Sequence, residues 1–293
     1  MRKIRVGSRD SKLAVIQAQM VIDNIKAYDS SIQTELVLMK TTGDKILDKT
    51  LDKIGGKGLF VKELDEALLN NLVDITVHSC KDLPMELNPA LPIVALSDRE
   101  DERDVLILPL PNTAVHQAKT LGCSSKRRSI QLNRLGYEQI IPLRGNVITR
   151  LNKLDNGEYS AIVLAAAGIK RLGLQDRISR YFTTQDILPA ACQGIIAVQA
   201  RAGEDTSFLK GFHSEVSATI AAAERAFVAT LDGGCSSPIA AYARVQGEQL
   251  LLEGMYADEC GSILRKGSIS GSLDQAKQLG VALAQQLRGG EEV

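Results

Sequence analysis

Short apolar runs alternate with amphipathic stretches along the first two thirds of the chain, and that order restricts it to a small set of α/β folds. Ile4–Gly7 reads as a strand, followed by a helix over Lys12–Ala27 with apolar Leu13, Ile16, Met20 and Ile25 on or near one face. Thr34–Lys40 reads as the next strand, Val61–Asn70 as a helix with Leu64 and Leu68 at helical spacing, and Asp74–Ser79 as another strand. The pattern predicts a mainly parallel, doubly wound sheet.

A charged stretch, Arg99–Asp104, interrupts this order; it reads as a solvated turn or as a crossing between domains. A second series follows: strand Val105–Leu108, a helix from about Ser124, strand Gln139–Leu143, helix Val147–Leu154 and strand Ala161–Leu164. The apolar run Ile195–Val198 reads as a buried strand that returns to the first sheet, which would hinge two domains with paired crossings. From Ser214 an alanine-rich helix runs to about Leu231, then strands Ile239–Val245, Gln249–Tyr256 and Ile263–Ser270, and a closing helix from about Leu273. A chain of 293 residues exceeds one ordinary core, so several domains are expected. The expected fold is two doubly wound, periplasmic-binding-protein-like α/β domains plus a smaller α+β C-terminal domain. The expected boundaries are 1–98 with 188–212, then 99–187, then 213–293.

Lys+Arg and Asp+Glu both number 35, so the net charge is zero and global charge gives no nucleic-acid or membrane signature. No signal-peptide pattern or membrane-length apolar run is present, and a cytoplasmic protein is expected. The five cysteines are scattered without a C-x-x-C pair, and His78, His116 and His213 are equally dispersed. Neither a disulfide framework nor a metal site is expected.

Electrostatic function must therefore come from local clustering, and the arginines cluster where a helix would not choose them. In Gly122–Arg128 the serines Ser124 and Ser125 are good N-caps, placing Lys126, Arg127 and Arg128 in a first helical turn. The helix dipole opposes cations there by typically about 0.3–1 kcal/mol each, unless an anion docks on them. Arg144 closes the next strand with Arg150 a turn or so beyond, and Lys170 and Arg171 follow strand Ala161–Leu164. In parallel sheets ligands bind beyond the C-terminal strand ends, where these clusters fall. Arg9, in Gly7-Ser8-Arg9-Asp10-Ser11, repeats the arrangement in the first sheet, with Ser11 as the helix cap. Taken singly, each arginine could equally cap a structural carboxylate; together they indicate an anion with several charged groups.

Strand Asp74–Ser79 runs into Cys80-Lys81-Asp82-Leu83-Pro84, where Pro84 disfavours helix and leaves Lys81 and Asp82 in a loop at the ligand edge. Asp82 is a candidate for stabilising a developing cation or moving a proton, with Lys81 beside it; a turn aspartate paired to Lys81 is the alternative. The Gly-rich segment from Thr42 to Phe60, containing Lys57, lacks G-x-x-x-x-G-K-[ST] and reads as a flap over the cleft or as a surface loop. Cys235, between Gly233-Gly234 and Ser236-Ser237-Pro238, is a candidate nucleophile or attachment point, or an inert loop cysteine.

These segments, in order along nearly the whole chain, resemble the porphobilinogen deaminase (hydroxymethylbilane synthase) family. The motifs are Gly7–Ala14 (GSRDSKLA), Lys40–Asp44 (KTTGD), Gly55–Glu63 (GGKGLFVKE), Val77–Pro84 (VHSCKDLP) and Arg99–Asp104 (REDERD). Ser124–Leu132 (SSKRRSIQL), Leu143–Leu154 (LRGNVITRLNKL), Leu188–Gly194 (LPAACQG) and Leu231–Ile239 (LDGGCSSPI) complete them. The resemblance implies a three-domain monomeric transferase with a dipyrromethane cofactor covalently attached to Cys235. It implies stepwise addition of four porphobilinogen molecules, each losing ammonia, and release of the linear tetrapyrrole hydroxymethylbilane. It maps Asp82 as the catalytic carboxylate beside a cationic, azafulvene-like centre. Arg9, Ser11, Lys81, Arg127, Arg128, Arg144, Arg150 and Arg171 map to the groups that bind acetate and propionate side chains, with Ser79, Ser124 and Ser125 as hydrogen-bonding neighbours and Lys57 and Phe60 in the lid. The chain departs from the family pattern at Cys80 (often methionine), Cys123 (threonine), Lys126 (leucine), Cys192 (usually glycine) and Gln199 (often glutamate). Cys192 adds a second thiol to a motif expected near the cleft. The competing readings are a non-catalytic two-lobed anion-binding protein and a phosphate-binding transferase, the latter without a nucleotide motif.

Overall fold

The computed structural model describes residues 3–41, 61–111, 119–234, 237–258 and 261–290. Along the chain run β1 (Lys3–Arg9), α1 (Lys12–Tyr28), β2 (Gln33–Met39), α2 (Lys62–Leu69), β3 (Ile75–Ser79) and β4 (Ile93–Leu96). Next come β5 (Asp104–Ile107), β6 (Leu121–Gly122), α3 (Lys126–Arg134), β7 (Ile140–Ile141), α4 (Val147–Asp155), β8 (Ala161–Ala165), α5 (Ala166–Arg171) and β9 (Arg180–Tyr181). The chain ends with β10 (Ile196–Ala200), α6 (Glu215–Thr230), β11 (Ile239–Gln246), β12 (Gln249–Ala257), β13 (Leu264–Ser272) and α7 (Ala276–Gly289).

Two five-stranded sheets have the orders β2-β1-β3-β10-β4 and β7-β6-β8-β5-β9. In the first, β1 lies parallel to β2 and β3, while β10 pairs antiparallel with both β3 and β4. All five residues of β10 are buried, as an apolar run covered on both faces requires. In the second, β6 is parallel to β7 and β8, and β5 is antiparallel to β8 and β9. Both sheets are thus parallel at the ligand edge, each with an antiparallel strand where the chain crosses between them.

The face that α1 buries differs from the expected one. Ala14, Ala18, Val21, Ile22 and Ile25 pack inward, whereas Met20 is 40% exposed. Small alanines at helical spacing let the helix sit close to the sheet, which turns the bulkier residues to its flank.

The third unit stacks α6 and α7 against the antiparallel sheet β11-β12-β13. A Cβ at Gly280 would come within 2.3 Å of the Ala223 carbonyl oxygen, so glycine is what allows the two helices to approach. Its core is continuous with the first sheet: Phe227, Leu252 and Leu283 belong to the same apolar cluster as Cys80, Leu83, Leu96 and Cys192.

The two crossings between the large sheets are bonded to each other. Ser97 and Glu100 on the outward path donate to the carbonyls of Ile196 (2.9 Å) and Gly194 (3.1 Å) on the return path. Gly194 has φ +93°, and a Cβ there would lie 2.2 Å from the Glu100 oxygen, a position only glycine fills.

Glu224 of α6 ties these parts together. Its fully buried carboxylate accepts two bonds from Arg99 Nη2 (2.8 and 2.7 Å) and one each from the backbone N–H of Cys192 (2.6 Å) and Ala243 (2.6 Å). Removing one partner of a buried pair strands the other charge, so Glu224→Ala should cost about 3–5 kcal/mol in urea denaturation, and Glu224→Gln less.

Candidate active site

The C-terminal ends of the parallel strands from both sheets open onto one cavity of about 710 Å³. Arg9 comes from the end of β1, Ser79 from the end of β3, and Lys81 and Asp82 from the turn that follows. From the second sheet, Ser124, Ser125, Lys126, Arg127 and Arg128 enter after β6, Arg144 and Arg150 after β7, and Arg171 after β8. Ser11 completes the set, so every expected binding residue within the described chain reaches a single wall. Gly234 and Ser237 line the same cavity. Cys235, and the lid residues Lys57 and Phe60, lie outside the described residues.

Local structure explains these placements. Cys80–Asp82 forms a single 3-10 turn rather than the expected loop, and ends at Leu83, whose φ of −70° and ψ of 141° precede Pro84. Ser11 caps α1 by accepting from the Ala14 N–H, and Ser125 caps α3 by accepting from the Arg128 N–H. Ser124 Oγ both donates to the Leu143 carbonyl and accepts its N–H (2.8 Å each), holding the exits of β6 and β7 together. Ser79 Oγ pairs with Gln17 (3.0 and 3.2 Å).

Arg127 and Arg128 are more structural than expected. Both are buried, and they clamp Asp104 through Arg127 Nη1 (2.8 Å) and Arg128 Nη2 (2.7 Å). Asp104, read from sequence within a solvated turn or crossing, is fully buried at the start of β5. Burial would raise its pKa, but the two arginines and their hydrogen bonds hold it well below the usual carboxylate range. Arg171 is the last residue of α5 rather than near its start, and donates Nη2 to the Gly194 carbonyl (2.6 Å). Arg150 Nε donates to the Gly145 carbonyl (2.8 Å). Burial lowers Arg150 and Arg171 to about 10, with Arg128 adding to the effect at Arg150.

Two groups escaped the sequence reading, and a third, His78, entered it only as one of three dispersed histidines. Gln193, wholly buried, accepts from Lys81 Nζ (3.0 Å) and donates to Asp104 (2.9 Å) and the Glu102 carbonyl (2.7 Å). Its place in LPAACQG was the available signal. Gln17 stood out only as a polar residue on the Ala14–Ala18 face of α1. His78 is buried beside Thr76 Oγ1 (2.9 Å); burial and then Arg9 push it down to about 3, so it adds no charge at neutral pH. The departures are also placed. Lys126 lines the cavity, as does Cys123, whose buried thiol lies 3.8 Å from the Ser125 carbonyl oxygen. Gln199 is buried and donates to the Leu91 carbonyl (2.7 Å). Cys192 is 1% exposed, packed behind the wall rather than on it.

The donor set suits a ligand with several carboxylates. Among the described residues eight cationic side chains line the cavity against two carboxylates, Asp82 and Glu138. Arg128 and Arg171 each also bury an Nε with no hydrogen-bond partner among the described residues. No described group of His, Cys, Asp and Glu could hold a metal ion, and no described helix is long and apolar enough to cross a membrane.

Fold and wall together define an α/β protein whose two five-stranded sheets border a cationic cavity suited to a polycarboxylate. A family model described as porphobilinogen deaminase, dipyromethane cofactor binding domain, matches residues 4–209, and one for the C-terminal domain matches residues 218–289. The chain belongs to the porphobilinogen deaminase family, transferases of tetrapyrrole biosynthesis that carry a dipyrromethane cofactor. It is 58% identical over 294 residues to the porphobilinogen deaminase of Ruminiclostridium josui, covering 100% of both chains. It is 60% identical over 288 residues to that of Ruminiclostridium cellulolyticum (98% of both), and 42% identical to that of Chromobacterium violaceum (98% of this chain, 94% of the relative). The solved periplasmic aliphatic sulphonate binding protein SsuA from Escherichia coli aligns with TM-score 0.41 and 11% identity over 79% of this chain and 71% of that one. The family membership does not favour the non-catalytic reading.

Burial, and then repulsion from Arg128 and Arg127, brings the Lys81 ammonium down to about 8 against the pull of Asp82 and Asp104. Below that pH Lys81 is charged and attracts carboxylates; above it the attraction is lost, while Arg150 and Arg171 stay protonated. The affinity of the cofactor-free protein for a polycarboxylate should therefore fall as pH rises through about 8, by calorimetry. In Lys81→Arg that step should vanish.

Proposed function

We propose that Cys235 carries the dipyrromethane and that Asp82 is the catalytic carboxylate for stepwise condensation of four porphobilinogen units into hydroxymethylbilane. The observation that carries this reading is the position of Asp82. Among the described residues it is one of two carboxylates on a wall of eight cations, in the turn after β3 and opposite the arginines of the second sheet. Gly234 and Ser237 on the same wall support Cys235 as the attachment point.

When bound, the dipyrromethane would supply a free pyrrole carbon as the nucleophile for the first unit, and the end of the growing chain would serve for those that follow. Arg9, Ser11, Arg144, Arg150 and Arg171 bind acetate and propionate carboxylates, each guanidinium offering a planar fork. Arg127 and Arg128, fixed by Asp104, present their remaining N–H groups from a rigid base. Lys81, held by Gln193, places its ammonium beside Asp82. Asp82 accepts pyrrole N–H bonds and stabilises the positive charge that develops as ammonia departs, as a fixed carboxylate beside a developing cation does. The Ser79 hydroxyl, oriented by Gln17, and the hydroxyls of Ser124 and Ser125 stand as polar neighbours.

In this reading the chain comprises three domains, 1–98 with 188–212, 99–187 and 213–293. The protein is a cytoplasmic monomer acting on porphobilinogen without nucleic-acid or membrane partners, in keeping with the balanced charge.

Intact mass of the unfolded protein should show an adduct of two pyrrole units, and peptide mapping should place it on Cys235. Cys235→Ser should lack it; an adduct on another residue would reject the assignment. Asp82→Asn should keep the adduct and lose turnover by at least about a hundredfold. Arg144→Leu should stall elongation, seen as enzyme masses that stop between successive additions; normal product release would make Arg144 structural only.

A further inference from the structure

Two departures from the family pattern meet in the core. Cys80 opens the turn that carries Lys81 and Asp82, and Cys192 immediately precedes Gln193 on the return crossing. The Cys80 N–H donates to the Ile195 carbonyl (2.9 Å), and the Ile195 N–H to the Cys192 carbonyl (3.2 Å). Both side chains are buried in one cluster with Leu83, Ala191 and Ile195, and each thiol perturbs the ionisation of the other. Cys123, the third described cysteine, lies in a different cluster.

We propose that Cys80 and Cys192 form an oxidisable dithiol, a modification site for small hydroperoxides, that closes to an intramolecular disulfide beside the catalytic turn. Two buried cysteines bonded to the same Ile195 backbone within one cluster are placed for closure to a disulfide. The roles of the two sulfurs are unequal. Cys192, aided by Arg225 and Arg99, lowers the Cys80 thiol despite its burial, whereas Cys80 and burial raise Cys192. Cys80, the more acidic of the two, is the sulfur that attacks. Its sulfur takes one peroxide oxygen, the O–O bond breaks, and the other oxygen leaves as hydroxide or alkoxide, which picks up a proton. The Cys192 sulfur then attacks the Cys80 sulfenic acid; the S–S bond forms, and the sulfenic hydroxyl leaves with the Cys192 proton as water. Two thiols are oxidised and one peroxide is reduced.

The oxidant has a short path. Ser79 and Lys81, on either side of Cys80, and Ala191 and Gln193, on either side of Cys192, all line the cavity, so the sulfurs lie one residue behind its wall. The cross-link would fasten the residue before Lys81 to the residue before Gln193, two side chains that meet at 3.0 Å. Drawing the two backbones together displaces that contact, and turnover falls with it.

The test uses the cofactor-loaded full chain, treated with hydrogen peroxide, then alkylated while unfolded and mapped by mass spectrometry. The expected product is a peptide pair joining Cys80 and Cys192, lighter by two hydrogens, reversed by dithiothreitol and absent from Cys192→Gly and Cys80→Ala. Cys192 has φ +60°, which glycine adopts readily, so the first variant retains the fold. Wild-type turnover should fall in step with the cross-link and return on reduction, while Cys192→Gly keeps its activity under the same treatment. Two thiols that both remain alkylatable after peroxide, or that link only to Cys235 or Cys260, would overturn the site. A Cys80–Cys192 link at undiminished turnover would overturn its coupling to catalysis. The turnover arm rests on the proposed chemistry and the mass arm does not, so the two failures are distinguishable.

Discussion

The buried carboxylate of Asp104 is the interaction on which the cationic wall depends. Three consecutive cations in the first turn of α3 oppose both one another and the helix dipole. Asp104 sits beneath them as a fixed anion, bonded to Arg127, Arg128 and Gln193. A buried ion pair adds little net stability against its desolvation cost, but it holds side chains in one geometry. Here it keeps two guanidiniums rigid at the cavity surface before any ligand arrives. Through Gln193 the same network reaches Lys81 in the other sheet, so one carboxylate organises cations from both lobes.

Glu224 performs the matching task for the third unit. Arg99 from one crossing, Cys192 from the other and Ala243 of β11 all converge on its two oxygens. The apolar cluster around Phe227 runs without a break into the first sheet. The C-terminal unit is therefore seated on the first lobe and the crossings, which brings Gly234 and Ser237 to the cavity.

Much of this was legible in the sequence, for identifiable reasons. Alternating apolar runs exposed the sheets, and the unbroken Ile195–Val198 run marked a strand covered on both faces. Arginines at strand ends exposed the wall, because exposed edges of parallel sheets are where unusual charges stand out. The remainder lay in pairings that sequence spacing does not encode. Asp104 is 23 and 24 residues from its arginine partners, and Gln193 is 112 from Lys81. A carboxylate in a run of charges looks solvated until its remote partners are known. Strands β6 and β9, two residues each, are too short to show a period. Met20 outranked Ala14 and Ala18 by hydrophobicity, although close packing favoured the small side chains.

Gly194 has a mechanical consequence. Because it lets the outward and return crossings touch and bond, the lobes hang from a single two-ply strap instead of two separate cords. Such a strap should resist twisting more than bending across its width, which favours an opening and closing of the lobes like the boards of a book. A methyl group at that one position would pry the plies apart and loosen the spine.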